Sequence, residues 1–133
     1  ELIKELRQKL GMAIIWITHD LGVIAGIADR VVVMYGGQIV EQAPVKELFG
    51  NPRHPYTRAL LETIPALHGA REAKLHVIQG QPPVLAGEPR ACPFRDRCEH
   101  AFERCETENP KRRMIGTGHD IACHWNAEGA DNA

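Results

Sequence analysis

The chain has 133 residues, with 16 basic and 17 acidic side chains, a net charge of -1 and a hydrophobic fraction of 44%. At this length a chain buries roughly two thirds of its unfolded surface, enough for one compact domain or two small ones. The near-neutral balance argues against nucleic acid, which needs a basic excess or patch, and gives no steering toward anionic membrane. Apolar runs such as Ala13 to Ile17 fall far short of the roughly 20 residues that span a bilayer.

In chain order, Leu2, Ile3, Leu6 and Leu10 recur at helical spacing, and Gly11 stands where a helix C-cap would. The first residue is Glu1 rather than Met and lies inside that helical pattern, so the sequence predicts the C-terminal piece of something longer. No charged segment leads into an apolar one with a small-residue cleavage site, which predicts a cytosolic rather than a secreted protein.

Met12-Ala13-Ile14-Ile15-Trp16-Ile17-Thr18 is continuously apolar and rich in branched residues, the pattern of a strand covered on both faces as in a parallel α/β sheet. Asp20 is placed to cap a short helix over 21–28. Val31 to Tyr35 and Gln38 to Gln42 flank Gly36-Gly37, a two-residue hairpin signal because each glycine tolerates positive φ. A short helix then opens at Pro44 and closes at Gly50.

Composition shifts at Asn51. Asn51-Pro52-Arg53-His54-Pro55 reads as a turn, with Pro55 starting a helix over 56–64 that Pro65 ends. Leu75 to Ile78 reads as a strand. Proline and glycine from Gln81 to Pro89 predict irregular extended chain, and the small, polar residues 126–133 read as a frayed end. The fold expected is α/β over residues 1–50, followed by an irregular α+β extension over 51–133 that holds all four cysteines between 92 and 123.

Two constellations carry chemistry. His19 closes Ile17-Thr18-His19-Asp20 at the end of the predicted strand, where ligands of open α/β sheets bind and where an imidazole N–H can reach a phosphate oxygen. The plain alternative is a histidine that bridges local backbone groups. Cys92, Cys98, Cys105 and Cys123 have five, six and seventeen residues between successive members. Disulfides do not suit a cytosolic protein. Zinc suits four cysteines, but the tight CxxC pairs of structural sites are missing and His100, His119 and His124 add ambiguous ligands. An iron–sulfur cluster takes four thiolates at more varied spacing, and unligated reduced thiols are the remaining reading. Spacing alone leaves zinc and iron–sulfur open. Lys111-Arg112-Arg113 could meet acidic groups on a partner, although such a run is usually solvated surface.

The string from Gly11 to Val23, with Ile27 to Tyr35 and Gly37 to Glu41, resembles the end of an ABC transporter ATPase domain. Asn51-Pro52-Arg53-His54-Pro55-Tyr56-Thr57-Arg58-Ala59-Leu60-Leu61 resembles the start of the C-terminal extension of oligopeptide and dipeptide importer ATPases. The resemblance implies an ATP-hydrolysing subunit that uses ATP and magnesium and works with a second ATPase subunit, membrane-spanning permease subunits and, indirectly, a peptide-binding protein. It would sit on the inner face of the cell membrane. It makes His19 the switch histidine of the H-loop, contacting the γ-phosphate of ATP, with Thr18 or Asp20 at most orienting it. It also makes Cys92, Cys98, Cys105 and Cys123 the ligands of a four-iron four-sulfur cluster, with zinc the alternative, and the extension a neighbour of the ATPase core reaching toward the membrane partner.

The sequence has no GxxxxGK[ST] loop, no apolar run ending in Asp-Glu and no ABC signature. Gly36-Gly37-Gln38 is similar to part of that signature but follows His19, lacks the preceding Leu-Ser and fits a hairpin turn. The chain alone is therefore expected not to hydrolyse ATP. Two alternatives stay open: a metal-binding interaction module without ATPase activity, and the ATPase subunit of a nickel or other small-solute importer.

Overall fold

The computed structural model describes residues 2–64, 78–84 and 87–125. Helix α1 (Leu2–Leu10) ends at Gly11, whose φ of 61° is open to glycine and whose N–H donates to the Arg7 carbonyl at 3.0 Å. Arg7 pairs with Asp29 at 2.8 Å across exposed surface, which ties α1 to the start of the sheet.

The run Met12–Thr18 is not a strand. It is irregular, with Ile15 and Ile17 91% and 94% exposed. A strand apolar on both faces needs ladder partners and covering layers. Among the described residues no strand lies beside it, and the chain that follows turns into an antiparallel hairpin instead. Asp20 then caps α2 (Leu21–Ile24) as expected, accepting from the N–H groups of Gly22 and Val23 at 2.9 and 3.3 Å, but the helix stops at Ile24 and turns follow where it was expected to run to 28.

The hairpin forms where the glycines predict it. Strand β1 (Arg30–Tyr35) pairs antiparallel with β2 (Gln38–Pro44) through Gly36 and Gly37, at φ 54° and 73°. Val31, Val33 and Tyr35 face inward while Val32 and Met34 face out. Between Val33↔Glu41 and Met34↔Ile39 the register slips by one residue, so Val40 is extra and points inward as well. Glu41 and Ala43 lie on the core face by alternation, opposite Val33 and Val31, and alternation is what carries a carboxylate into the interior.

On the far edge of β2 sits a strand from the other end of the chain. Strand β4 (His119–Ile121) pairs antiparallel with β2 through Glu41↔Ile121 and Gln42↔Asp120, and with β3 (Arg113–Gly116), so the sheet order is β1-β2-β4-β3. The four-stranded sheet is thus wholly antiparallel. It crosses residue 50, and so does the core: Val31, Val33, Tyr35, Val40 and Leu48 pack with Cys92, Phe94 and Cys105.

Between these strands run α3 (Val45–Gly50), with Pro44 as its N-cap rather than its first residue, and α4 (Pro55–Glu62), with Pro55 at its first position. Helix α4 stops two residues before the expected end, and Thr63 and Ile64 finish it in tighter turns. The strand expected over 75–78 and the frayed end 126–133 lie almost wholly or wholly outside the described residues. Arg97, in the 3-10 turn Arg95–Arg97, holds the irregular chain at Ile78 and Gln79 by their carbonyls, at 2.9 and 2.7 Å, and donates to the Tyr35 hydroxyl at 3.1 Å. Helix α5 (Glu103–Thr107) carries Cys105.

Candidate functional site

His19 stands exposed at the bend between the irregular run and α2. The Thr18 hydroxyl accepts the Asp20 N–H at 3.0 Å, and the Asp20 carboxylate caps α2. Both neighbours are engaged with backbone.

Cys92, Cys98 and Cys105 pack in one core cluster, and Cys123 lies within electrostatic reach of them. Cys92, Cys105 and Cys123 are buried and Cys98 is half-buried, all four as reduced thiols. The Cys92 N–H donates to the Cys105 carbonyl at 2.9 Å, and Arg95 joins the two segments by a 2.9 Å ion pair to Glu106 and a 3.2 Å bond to the Cys92 carbonyl. Backbone amides point at three of the sulfurs: those of Phe94 and Arg95 at Cys92, His100 at Cys98, and Trp125 at Cys123.

Burial pushes the Cys98 thiol up to about 11 and the Cys123 thiol up to about 12, and raises Cys92. The amides pull the other way, and the neighbouring thiols push in the same direction as burial. Crowded thiols without a cation stay protonated; a bound cation reverses that balance, and amide N–H groups favour the thiolate. No group of three or more His, Cys, Asp or Glu side chains among the described residues is arranged to hold a metal ion as it stands. Four thiols are donors of the kind a thiolate-bound metal takes, but as placed they do not form a metal-holding group.

The three histidines that made the ligand set ambiguous are engaged elsewhere. His119 Nε2 donates to Glu41 Oε1 at 2.7 Å, His124 Nε2 donates to the Glu108 carbonyl at 3.0 Å, and the His100 ring stacks on Trp125 with centroids 4.0 Å apart, Arg58 lying against the indole. Within the basic run, Arg112 pairs with Asp120 on β4 at 2.7 Å and so belongs to the sheet.

Sequence reasoning missed a buried polar hub. Glu41, fully buried, accepts from the N–H groups of Arg53 and His54 at 2.8 and 3.0 Å as well as from His119. It thus binds β2, the turn before α4 and β4 to one carboxylate. His54, 1% exposed, accepts the Tyr56 N–H on Nδ1 at 3.1 Å, while its Nε2 and the Thr57 hydroxyl are buried without a partner. Burial holds the His54 imidazole down at about 4, partly opposed by the Ala122 carbonyl that faces it short of full hydrogen-bonding geometry. Strand parity on the core face of β2 was the available signal for Glu41. Tyr56 packs against Tyr35 and Phe94, with ring centroids 4.6 and 5.3 Å away.

Residues 40–105, from β2 to α5, match the model of the oligopeptide/dipeptide transporter C-terminal region. The chain carries that family's C-terminal region. The family match takes in Glu41, His54 and three of the cysteines and ends before Cys123. Similar proteins include the dipeptide transport ATP-binding protein DppD of Caldanaerobacter subterraneus, 45% identical over 97% of this chain and 39% of its own length. The oligopeptide transport ATP-binding protein AppD of Bacillus subtilis is 43% identical over 100% and 40%. A peptide import ATP-binding protein of Brucella ovis is 45% identical over 92% and 38%. The chain therefore spans well under half the length of these curated relatives.

Proposed function

We propose that this chain works within the ATP-binding subunit that powers an ABC importer of dipeptides or oligopeptides, and supplies its switch histidine and C-terminal region. The similarity to three such proteins over nearly the whole chain is the observation that carries this reading. When bound with magnesium, ATP supplies the free energy of phosphoryl transfer. His19 contributes an exposed imidazole that can donate to a γ-phosphate oxygen, while the side chains of Thr18 and Asp20 hold backbone amides.

The phosphate-cradling and magnesium-holding motifs are not in this sequence, so the chain alone turns over no ATP. In the longer subunit, His19→Ala lowers ATP turnover on the order of a hundredfold or more, as loss of a preorganised charge-stabilising donor does. ATP binding, read by fluorescence of a nucleotide analogue, changes far less. Unchanged turnover would remove the switch role. The subunit acts at the cytoplasmic face of the membrane, docked to permease subunits and a second ATPase subunit; among the described residues no helix is long and apolar enough to cross a membrane.

Cys92, Cys98, Cys105 and Cys123 are the residues that would hold a four-iron four-sulfur cluster, with zinc as the alternative. Support comes from four thiols within electrostatic reach of one another and from the amides aimed at three of them. The centre is structural: it fastens chain with few large apolar residues to the core. Anaerobically purified protein should contain about four iron and four sulfide per chain. About one zinc keeps the site and changes the metal, and no metal rejects it.

A further inference from the structure

Two aromatic rings close to the cysteines have no part in the core cluster or in the reading above. The His100 imidazole lies flat on the Trp125 indole, with ring centroids 4.0 Å apart and planes 6° apart. The Arg58 guanidinium of α4 lies over the same indole, 5.4 Å from its centroid. Face contact between rings contributes beyond the area it buries, and a cation over an indole adds to it. His100 and Arg58 are exposed and Trp125 is half-buried, so the stack belongs to the surface.

Each of the two rings stands two residues after a cysteine. His100 lies in the turn that Cys98 opens: the Cys98 carbonyl accepts the Ala101 N–H at 3.2 Å, while the Cys98 N–H donates to the Arg95 carbonyl at 3.2 Å. Trp125 ends the segment that carries Cys123. That segment lies past β4, which stops at Ile121, so no strand ladder holds Cys123. Its neighbours are held instead: the Ala122 N–H donates to the Val40 carbonyl at 2.9 Å, and His124 Nε2 donates to the Glu108 carbonyl at 3.0 Å. Among the described residues no backbone hydrogen bond joins this segment to the Cys98 turn. Ring contacts do join them, the His100–Trp125 stack and beside it Phe102 edge-on to His124 at 6.5 Å.

We infer that the His100–Trp125 stack, with Arg58 over the indole, is a clasp that holds the Cys123 segment against the Cys98 turn. His100 and Trp125 are thereby positioning residues for those two thiols. Cys92 and Cys105 need no such device, since a backbone bond of 2.9 Å already joins them inside the core cluster. The consequence for metal binding rests on the reading of the four thiols as ligands; the clasp does not.

Substitutions at these two rings reach the stack without entering the core. In protein stripped of metal by a chelator, alkylation of each cysteine by iodoacetamide is followed by mass spectrometry, with Cys105 as internal reference. The thiol on the opposite segment decides. His100→Ala should raise the Cys123 rate relative to Cys105 about fivefold, and Trp125→Ala should raise that of Cys98 by a similar factor, the size of effect expected when one aromatic pair is lost. His100→Phe, which keeps a flat ring, should hold the Cys123 ratio within about twofold of the parent. The two alanine changes together should fall short of the product of their single effects, because both remove the same contact.

A rise confined to the thiol on the substituted ring's own segment overturns the inference, since each ring would then order only its own surroundings. So do unchanged ratios in both alanine variants, and so does an equal rise in the rates of all four cysteines, which would mean general loosening. Loss of the far-ultraviolet helical signal in His100→Ala would overturn it too, because an exposed ring would then be needed for folding as a whole. Iron, sulfide and zinc in the parent protein are measured separately. A parent that binds no metal rejects the ligand reading and leaves the alkylation ratios to decide on the clasp.

Discussion

Glu41 shows how far one residue's environment departs from its type. A carboxylate on a strand is expected to face water, yet the parity of β2 turns it inward, where three N–H donors replace the lost solvent. His54 beside it is buried as a neutral imidazole. Its folded value of about 4 lies below the ordinary 6.5, so between these two values the unfolded chain binds a proton that the folded chain does not. The stabilisation is complete above pH 6.5 and is lost as the pH falls toward 4, on the order of 3 kcal/mol in all. Urea midpoints measured across that window should fall with acid in the parent and fall by less in His54→Asn, the difference between the two curves isolating this group from the carboxylates. His54-Pro55-Tyr56 was legible as a helix start. The burial of its imidazole was not, because burial depends on β2 and β4, more than ten residues away on one side and more than sixty on the other.

Among the elements, the β1–β2 hairpin and the caps of α1, α2 and α4 were readable because each follows from local backbone chemistry: paired glycines, an Asx cap, a proline at the first helical turn. The β3–β4 hairpin was not read. Its strands have four and three residues, too short for a clear alternation, and it is stable only because β2 offers an edge. Gly118 lets that hairpin turn, at φ 67°, and its carbonyl accepts from Arg30 Nη2 at 3.0 Å, which ties the turn to the start of β1. A Cβ there would stand 2.9 Å from Arg30 Nη1. Gly118→Ala should therefore cost about 1–2 kcal/mol, mostly from backbone strain since the arginine end can move, and lower the thermal midpoint. A midpoint equal to the parent's would mean that the turn tolerates another conformation.

At the scale of the whole molecule, the run Met12–Thr18 is the clearest contrast. Its composition announces a buried strand, yet Ile15 and Ile17 are almost fully exposed and Trp16 is 46% exposed. Because these side chains contribute little to the core of this chain, Ile15→Lys and Ile17→Lys together should change its urea midpoint by less than about 0.5 kcal/mol while reducing self-association seen by light scattering. A large loss of stability would show that the run packs in solution. In the longer subunit proposed above, the same pair should be strongly destabilising, since that reading covers both faces of the run.

The amino-acid sequence by itself determined whatever depends on neighbouring residues: the hairpin turn, the helix starts, the crowding of four cysteines into 32 positions and the resemblance to peptide-importer ATPases, with the family's C-terminal region matched over 40–105. Only the tertiary structure decided which chain edges meet. Pairing β2 with β4 joins residues nearly eighty positions apart, buries Glu41 against His119, and carries Cys123 within electrostatic reach of the other three thiols. Such pairings carry little local signal because their free energy comes from contacts between distant segments, gained only after the entropy of closing the long intervening loop has been met.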